Sequence, residues 1–167
     1  MQVRRARPGD GSGMARVHVA AWRVGYRGIM GDDRLANLSE RAFARRWETI
    51  VTSPSEARTF VADHDGTIVG IATAGPPRHP APPGAGEVRM VNVHPDHWRT
   101  GAGTALLTRC LDELRLLGHT NAYLWVAEGN TRATTFYTHH GWTPTGETLD
   151  DDRETPPLRE LRYTLDL

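Results

Sequence analysis

The chain has 167 residues, and its 20 basic side chains, all arginine, balance 20 acidic ones to a formal charge of zero. One domain with a sizeable core is expected at this length, since folding removes roughly 70% of the extended chain's surface from water. The absence of lysine excludes Schiff-base chemistry and a phosphate-loop lysine, and the balanced charge without a dense basic run argues against a nucleic-acid partner. A single cysteine, Cys110, leaves no intramolecular disulfide and no cysteine-cluster metal site; it fits a reducing, cytoplasmic compartment. Neither secretion nor membrane insertion is expected, because the N-terminus is polar and no segment approaches the ~18 apolar residues of a span.

In chain order, Val3 to Ala6 reads as a short first strand ended by Pro8 and Gly9. From Gly13 to Val24 the apolar positions Met14, Val17, Ala21 and Val24 recur at helical spacing. A second helical region runs from Ser39, a good N-cap, to Ile50, with Phe43, Trp47 and Ile50 on one face. Thr59 to Ala62 and Thr67 to Ala74 are strands joined by His64-Asp65-Gly66, a hairpin signal. The stretch Gly75 to Gly84 holds five prolines, which excludes helix or central strand and makes it a stiff loop or a wall beside a site. Glu87 to Val93 reads as a strand, Thr104 to Leu117 as a leucine-striped helix stopped by Gly118, and Tyr123 to Val126 as a buried strand. A short helix over Thr131 to His140 and a last strand over Leu158 to Leu165, after an acidic loop, complete a mixed α/β layered domain.

The most informative stretch is Val91 to Thr104, between a predicted strand and a predicted helix. Gly101 and Gly103 allow a tight bend whose N–H groups point outward at a helix N-terminus, where a pyrophosphate fits. The dinucleotide pattern fails because Leu106 stands where Gly or Ala is needed, and the phosphate-loop pattern fails for want of lysine. A plain strand-to-helix turn remains the alternative for the glycine pair by itself.

Together with Val93-x-Pro95, Leu124-x-Val126, Asn130-x-x-Ala133-x-x-Phe136-Tyr137 and Gly141-Trp142, the bend resembles the GNAT superfamily of acyl-CoA N-acyltransferases from Glu87 to Trp142. The resemblance implies a single domain over residues 1–167 with a central, mostly antiparallel, splayed sheet of about six to seven strands and about four flanking helices. It implies acetyl-CoA as cosubstrate and no metal. Pantetheine would lie in the gap beside Val91 and Val93. The bend from Trp98 and Arg99 through Thr100, Gly101, Ala102 and Gly103 to Thr104 would hold the pyrophosphate by main-chain N–H groups. The family usually carries Gln or Arg where this chain has Trp98, so some phosphate contact is expected to pass to Arg99.

By the same resemblance Tyr137 is the acid that protonates the departing CoA thiolate, the Val93 N–H stabilises the oxyanion, and Asn130 bonds the CoA chain. Asn130 is equally suited to cap a helix, and Tyr137 to core packing beside Phe136. Glu87 matches the position where several family members carry a catalytic glutamate acting through water; the alternative is a solvated acid at a strand start. The histidine pairs His94/His97 and His139/His140 lack acidic or cysteine companions at ligand spacing and read as surface residues, so no metal is expected.

Trp22 and Tyr26 resemble a signature of the family's first helices, which border the acceptor site, although aromatic residues four apart are also ordinary packing. The acids Glu147, Asp150, Asp151, Asp152 and Glu154 would favour cationic amines if they overhang the acceptor mouth; otherwise they are a solvated turn. The expected activity is acetyl transfer from acetyl-CoA to a primary amine of a small molecule by direct attack. A protein N-terminus or lysine as acceptor, and a CoA-binding module without turnover, are the alternatives. Cys110, mid-helix on the apolar stripe, does not suit a covalent relay. A homodimer is compatible with such a domain.

Overall fold

A computed structural model describes residues Met1–Leu167. The elements are β1 (Gln2–Arg5), α1 (Gly11–Gly25), α2 (Asp32–Ala36), α3 (Glu40–Thr52), β2 (Arg58–His64), β3 (Thr67–Gly75) and β4 (Ala85–Val93). A 3₁₀ turn (Pro95–His97) leads to α4 (Ala102–Leu116), β5 (Asn121–Ala127), α5 (Thr131–His139), β6 (Thr143–Asp151) and β7 (Leu158–Asp166). The strands form one seven-stranded sheet in the order β1-β2-β3-β4-β5-β7-β6. Every pairing is antiparallel except β4 with β5.

Alternation along β2 decides the layers. Phe60 and Ala62 pack on one face with Leu106, Leu107, Cys110 and Leu114 of α4, while Val61 between them packs on the other with Met14 and Val17 of α1 and Trp47 of α3. The β2–β3 hairpin closes through Asp65 and Gly66 at φ 51° and 83°, the two positive values that a two-residue primed turn requires. Ser39 caps α3, its hydroxyl accepting the Ala42 N–H at 3.2 Å.

Two segments differ from the sequence expectation. The acidic stretch is not a loop: up to Asp151 it belongs to β6, an edge strand paired only with β7 and almost wholly exposed. An edge strand with no buried face carries no apolar alternation, and Pro144 and Gly146 on it mimic a turn. The five-residue α2 makes a fifth helix where about four were expected; with Leu35 as its one buried residue it is too short to show a period.

The sheet opens in its middle. β4 and β5 pair only at Ala85↔Asn121, Gly86↔Ala122 and Glu87↔Tyr123. Directly after Glu87, β4 carries an extra residue: Ala74 faces Val88 but Thr73 faces Met90, so Arg89 is bulged out. A bulge bends and twists its strand, and here it swings Arg89 to Val93 away from β5. The wedge so formed is where the cleft lies.

Candidate active site

The cleft between the splayed strands has a volume of about 2230 Å³, beyond the several hundred Å³ of a pocket for one drug-sized ligand. Its walls include Val91, Val93, Asn130 and Tyr137, the bend at Gly101 and Gly103, and, further along, Trp22 and Tyr26. The structure therefore brings the expected site residues to one depression.

At the bend, six consecutive N–H groups, Arg99 through Thr104, find no acceptor within the chain; Ala105 is the first satisfied, by the Gly101 carbonyl at 3.0 Å. Gly101 sits at φ 88° and Arg99 at φ 63°, the left-handed turns that aim successive N–H groups outward and form an anion-binding concavity. A helix start adds its dipole. Since His94 N–H donates to Val69 O at 2.8 Å, ladder alternation turns the N–H and C=O groups of Val91 and Val93 away from β3 into the gap. On that side the Val93 carbonyl accepts the Trp98 indole N–H at 2.8 Å. Trp98 in turn lies under the Arg132 guanidinium, 3.4 Å from its ring centre. Trp98 thus braces the bend instead of offering a charge, and Arg99 and Arg132 border the cleft beside it. The unsatisfied donors, the left-handed glycine and the exposed strand edge fit the pyrophosphate and pantetheine of coenzyme A. Asn130 caps α5, its side-chain oxygen accepting Ala133 N–H at 3.2 Å, and still lines the cleft.

Tyr137 is only 8% exposed, and its hydroxyl takes no hydrogen bond from the chain while its ring borders the cleft. Burial, with smaller contributions from Tyr26 and Cys110, holds the phenol well above its ordinary value, so it keeps its proton. Cys110 is fully buried and burial pushes its thiol up to about 12, which leaves no thiolate for a covalent relay.

Glu87 is not a solvated acid. It is fully buried at the point where β4 leaves β5, and its carboxylate accepts the Arg78 main-chain N–H at 2.9 Å and the Arg78 guanidinium at 2.7 Å. Burial raises its pKa, but the bonds and charge of Arg78, aided by Arg89, outweigh this and hold it below the ordinary value. The proline-rich loop is a wall of the cleft, as expected, and Glu87 is what fastens it. Arg78 was not foreseen; five prolines around it hid a residue that reaches forward nine positions to pair.

At the other end of the cleft Trp22 and Tyr26, with ring centres 5.2 Å apart, join His18, Phe43 and Trp47 in an aromatic wall. The Trp47 indole N–H donates to His18 Nδ1 at 3.2 Å. The acidic run does border this end, but its charges are largely cancelled. Glu147 pairs with Arg162 at 3.1 Å, Asp150 with Arg159 at 2.9 Å, Asp151 with Arg153 at 2.7 Å and Glu154 with Arg34 at 3.0 Å. One further acid, Glu160 on β7, lines the cleft with no such partner; nothing in its Arg-Glu-Leu-Arg surroundings distinguishes it in the sequence. Of the histidines, His140 is tied within the fold, Nδ1 lying 2.8 Å from Phe136 O and Nε2 3.0 Å from the Thr104 hydroxyl.

The sequence profile of the Acetyltransferase (GNAT) family matches residues 23–142, most of the chain, including the bend, Asn130 and Tyr137. The chain belongs to the GNAT family. It is an acyltransferase, an N-acetyltransferase that depends on acetyl-CoA. A relative, the uncharacterized N-acetyltransferase YuaI of Bacillus subtilis, is 34% identical over 129 residues, covering 77% of this chain and 72% of the relative. Mycothiol acetyltransferase of Frankia casuarinae is 37% identical over 90 residues, 50% of this chain and 26% of that longer protein. Among solved GNAT structures, PaiA N-acetyltransferase from Thermoplasma acidophilum, in complex with coenzyme A, superposes with a TM-score of 0.77 at 16% identity over 99% of this chain and 98% of that one. No helix is long and apolar enough to cross a membrane.

Proposed function

We propose that residues 1–167 act as one domain that acetylates the primary amine of a small molecule by direct attack in a ternary complex. The observation that carries this is the run of unsatisfied N–H groups from Arg99 to Thr104 opening onto a wedge that leads to Tyr137. Acetyl-CoA supplies the acetyl group as an activated thioester. The bend from Trp98 to Thr104 holds its pyrophosphate through main-chain N–H groups, with Arg99 adding charge. Val91 and Val93 present strand-edge groups to the pantetheine, Asn130 bonds its chain, and the Val93 N–H is a fixed donor for the oxyanion. Tyr137 keeps its phenolic proton until the thiolate leaves and then supplies it. Two cleft carboxylates stand where the attacking amine must lose a proton, Glu87 and Glu160. Glu87 carries a standing ion pair to Arg78 and serves foremost to fasten the proline-rich wall.

A small acceptor is favoured over a protein chain because an ion pair joins two residues at the border of the acceptor end. Arg34 of α2 and Glu154 of the β6–β7 connection, both bordering the cleft, meet in a two-bond ion pair of 3.0 and 3.2 Å. A polypeptide laid along the surface would have to part them. The mycothiol acetyltransferases among the relatives, named for a small molecule, support the same acceptor class. Trp22 and Tyr26 form the pocket's apolar side. Thiol release from acetyl-CoA tests this with 2-phenylethylamine, spermidine and an alanyl-terminated peptide as acceptors. Release with an amine and not the peptide is expected. Release with the peptide alone transfers the reading to protein acceptors, and CoA binding without release on any acceptor favours a non-catalytic module.

A further inference from the structure

The carboxylates around the acceptor end are not alike. Glu87, Glu147, Asp150, Asp151 and Glu154 each hold an arginine, and Asp152 is exposed to solvent. Glu160 alone is half-buried in the cleft wall and accepts no hydrogen bond or ion pair from the chain. Its position follows from β7. Side chains on one face of a strand recur every two residues, so Glu160 shares its face with Leu158, buried against Val19 and Met30, and with Arg162, stacked 4.4 Å from the Tyr123 ring centre. In register, Glu160 stands between Ala127 of β5 and Leu149 of β6.

We infer that Glu160 binds the ammonium group of the acceptor and takes its proton before attack. The assignment rests on the N-acetyltransfer proposed above. A cationic head group entering the cleft, whose other acids are paired or, like Asp152, open to solvent, meets one half-buried carboxylate without a partner, and it meets it in the cleft that Trp22 and Tyr26 also line, whose rings suit the amine's carbon skeleton and its charge. Glu160, Tyr26 and Tyr137 all line the one cleft, so proton acceptor, amine pocket and proton donor share it.

The surroundings of Glu160 also suit a base. Burial raises its pKa first of all, Asp151 of β6 and Glu87 of β4 add to that, and Arg153 of the β6–β7 connection and Arg78 of the proline-rich loop oppose it; Tyr26 of α1 is the remaining titratable neighbour. The net direction is upward, toward the amine, whose own pKa is near ~10.4 if it resembles a lysine side chain. Glu87 is displaced the opposite way and would have to surrender Arg78 to accept a proton.

The step balances as follows. R–NH₃⁺ gives one proton to the Glu160 carboxylate and becomes R–NH₂. Its lone pair forms the C–N bond to the acetyl carbon as the C–S bond breaks, the thiolate takes the Tyr137 proton, and the nitrogen's surplus proton returns to the Tyr137 phenolate through water. Glu160 then releases its proton to solvent. The net products are the amide, CoA thiol and one H⁺.

The test is the isosteric Glu160→Gln, with CoA binding by calorimetry as the control for folding. Using 2-phenylethylamine and spermidine, kcat/KM for the amine should fall ~10²-fold at neutral pH. Its pH profile should change shape: the wild type levels off above the Glu160 pKa, whereas the variant keeps climbing toward the amine's pKa, where free amine no longer needs a base. A parallel rise in Glu87→Gln but not in Glu160→Gln, or a variant profile of unchanged shape, overturns the assignment. A ¹³C carboxyl titration of the wild type, assigned by the variant, is a check independent of turnover: a Glu160 midpoint above the ordinary glutamate value of ~4.3 is required by the assignment, and an ordinary one overturns it. If the wild type transfers to neither amine while Glu160 titrates high, the small-amine reading fails and this assignment stands.

Discussion

Tyr137 and His18 show how burial above all sets the chemistry of a side chain. Tyr137 is a poor base and a durable acid because a phenolate in this position would be poorly solvated. Tyr137→Phe removes the proton and little volume, so turnover should fall ~10²- to 10⁴-fold, about 3–5 kcal/mol of barrier, with CoA affinity nearly unchanged in calorimetry; an unaltered rate would release Tyr137 from the acid role. His18 is buried chiefly by its neighbours, with Arg46 adding repulsion, and its pKa drops to about 4. Its Nδ1 accepts from Trp47 and must be bare to do so. The unfolded chain takes up a proton near ~6.5 while the folded chain does not until about 4, so stability present at neutral pH is lost as pH falls through that window. Urea unfolding at pH 7 and pH 5 should differ by about 2 kcal/mol from this group alone, 1.4 kcal/mol for each unit crossed, and His18→Gln should remove that difference. That Tyr137 borders the cleft was legible through its place after Phe136 in the motif; that Glu160 does so was not, because its distinction is the lack of a partner, which only the folded arrangement reveals.

Among the elements, those with a strong local period or a glycine stop were readable: α1, α3 and α4 lie within a few residues of their expected bounds, and the Asp65-Gly66 turn closes its hairpin as the dipeptide requires. What escaped was β6, whose residues face solvent on an edge, and α2, which is shorter than two helical turns. The bulge at Arg89 also left no mark in the sequence, although it opens the cleft. The proline-rich connection between β3 and β4 was recognisable as a wall but not as a tethered one. Its tether makes a prediction at this scale. Arg78→Ala would leave the buried carboxylate of Glu87 with the main-chain N–H of residue 78 and, as its nearest charge, Arg89 at 3.9 Å. Breaking a wholly buried pair costs about 3–5 kcal/mol, and with the Arg78 side chain 45% exposed the expected loss is nearer ~2 kcal/mol. Chemical denaturation should show it, and the loop should become more open to limited proteolysis between Gly75 and Gly84. Undiminished stability would mean that the loop is held without this pair, by its prolines and by the bonds of Arg89 to Pro76 O and Asn121 to Pro83 O.

The whole molecule is a sheet parted in the middle, with α4 turning its bare N-terminal donors toward the parting and the β7 side closing the far end. The antiparallel halves are conventional; the function resides in the part of β4 that follows Glu87, where five residues pair with β3 only and Arg89 is bulged out. That geometry makes one claim on which the rest depends, namely that the bend from Arg99 to Thr104 receives a pyrophosphate. Calorimetry with coenzyme A and with pantetheine, which has the same thiol arm but no phosphates, tests it directly. The account predicts one coenzyme A bound per chain and pantetheine weaker by at least ~10²-fold, because charge-assisted main-chain bonds carry the affinity. Equal binding of the two, or no binding of coenzyme A, would contradict it.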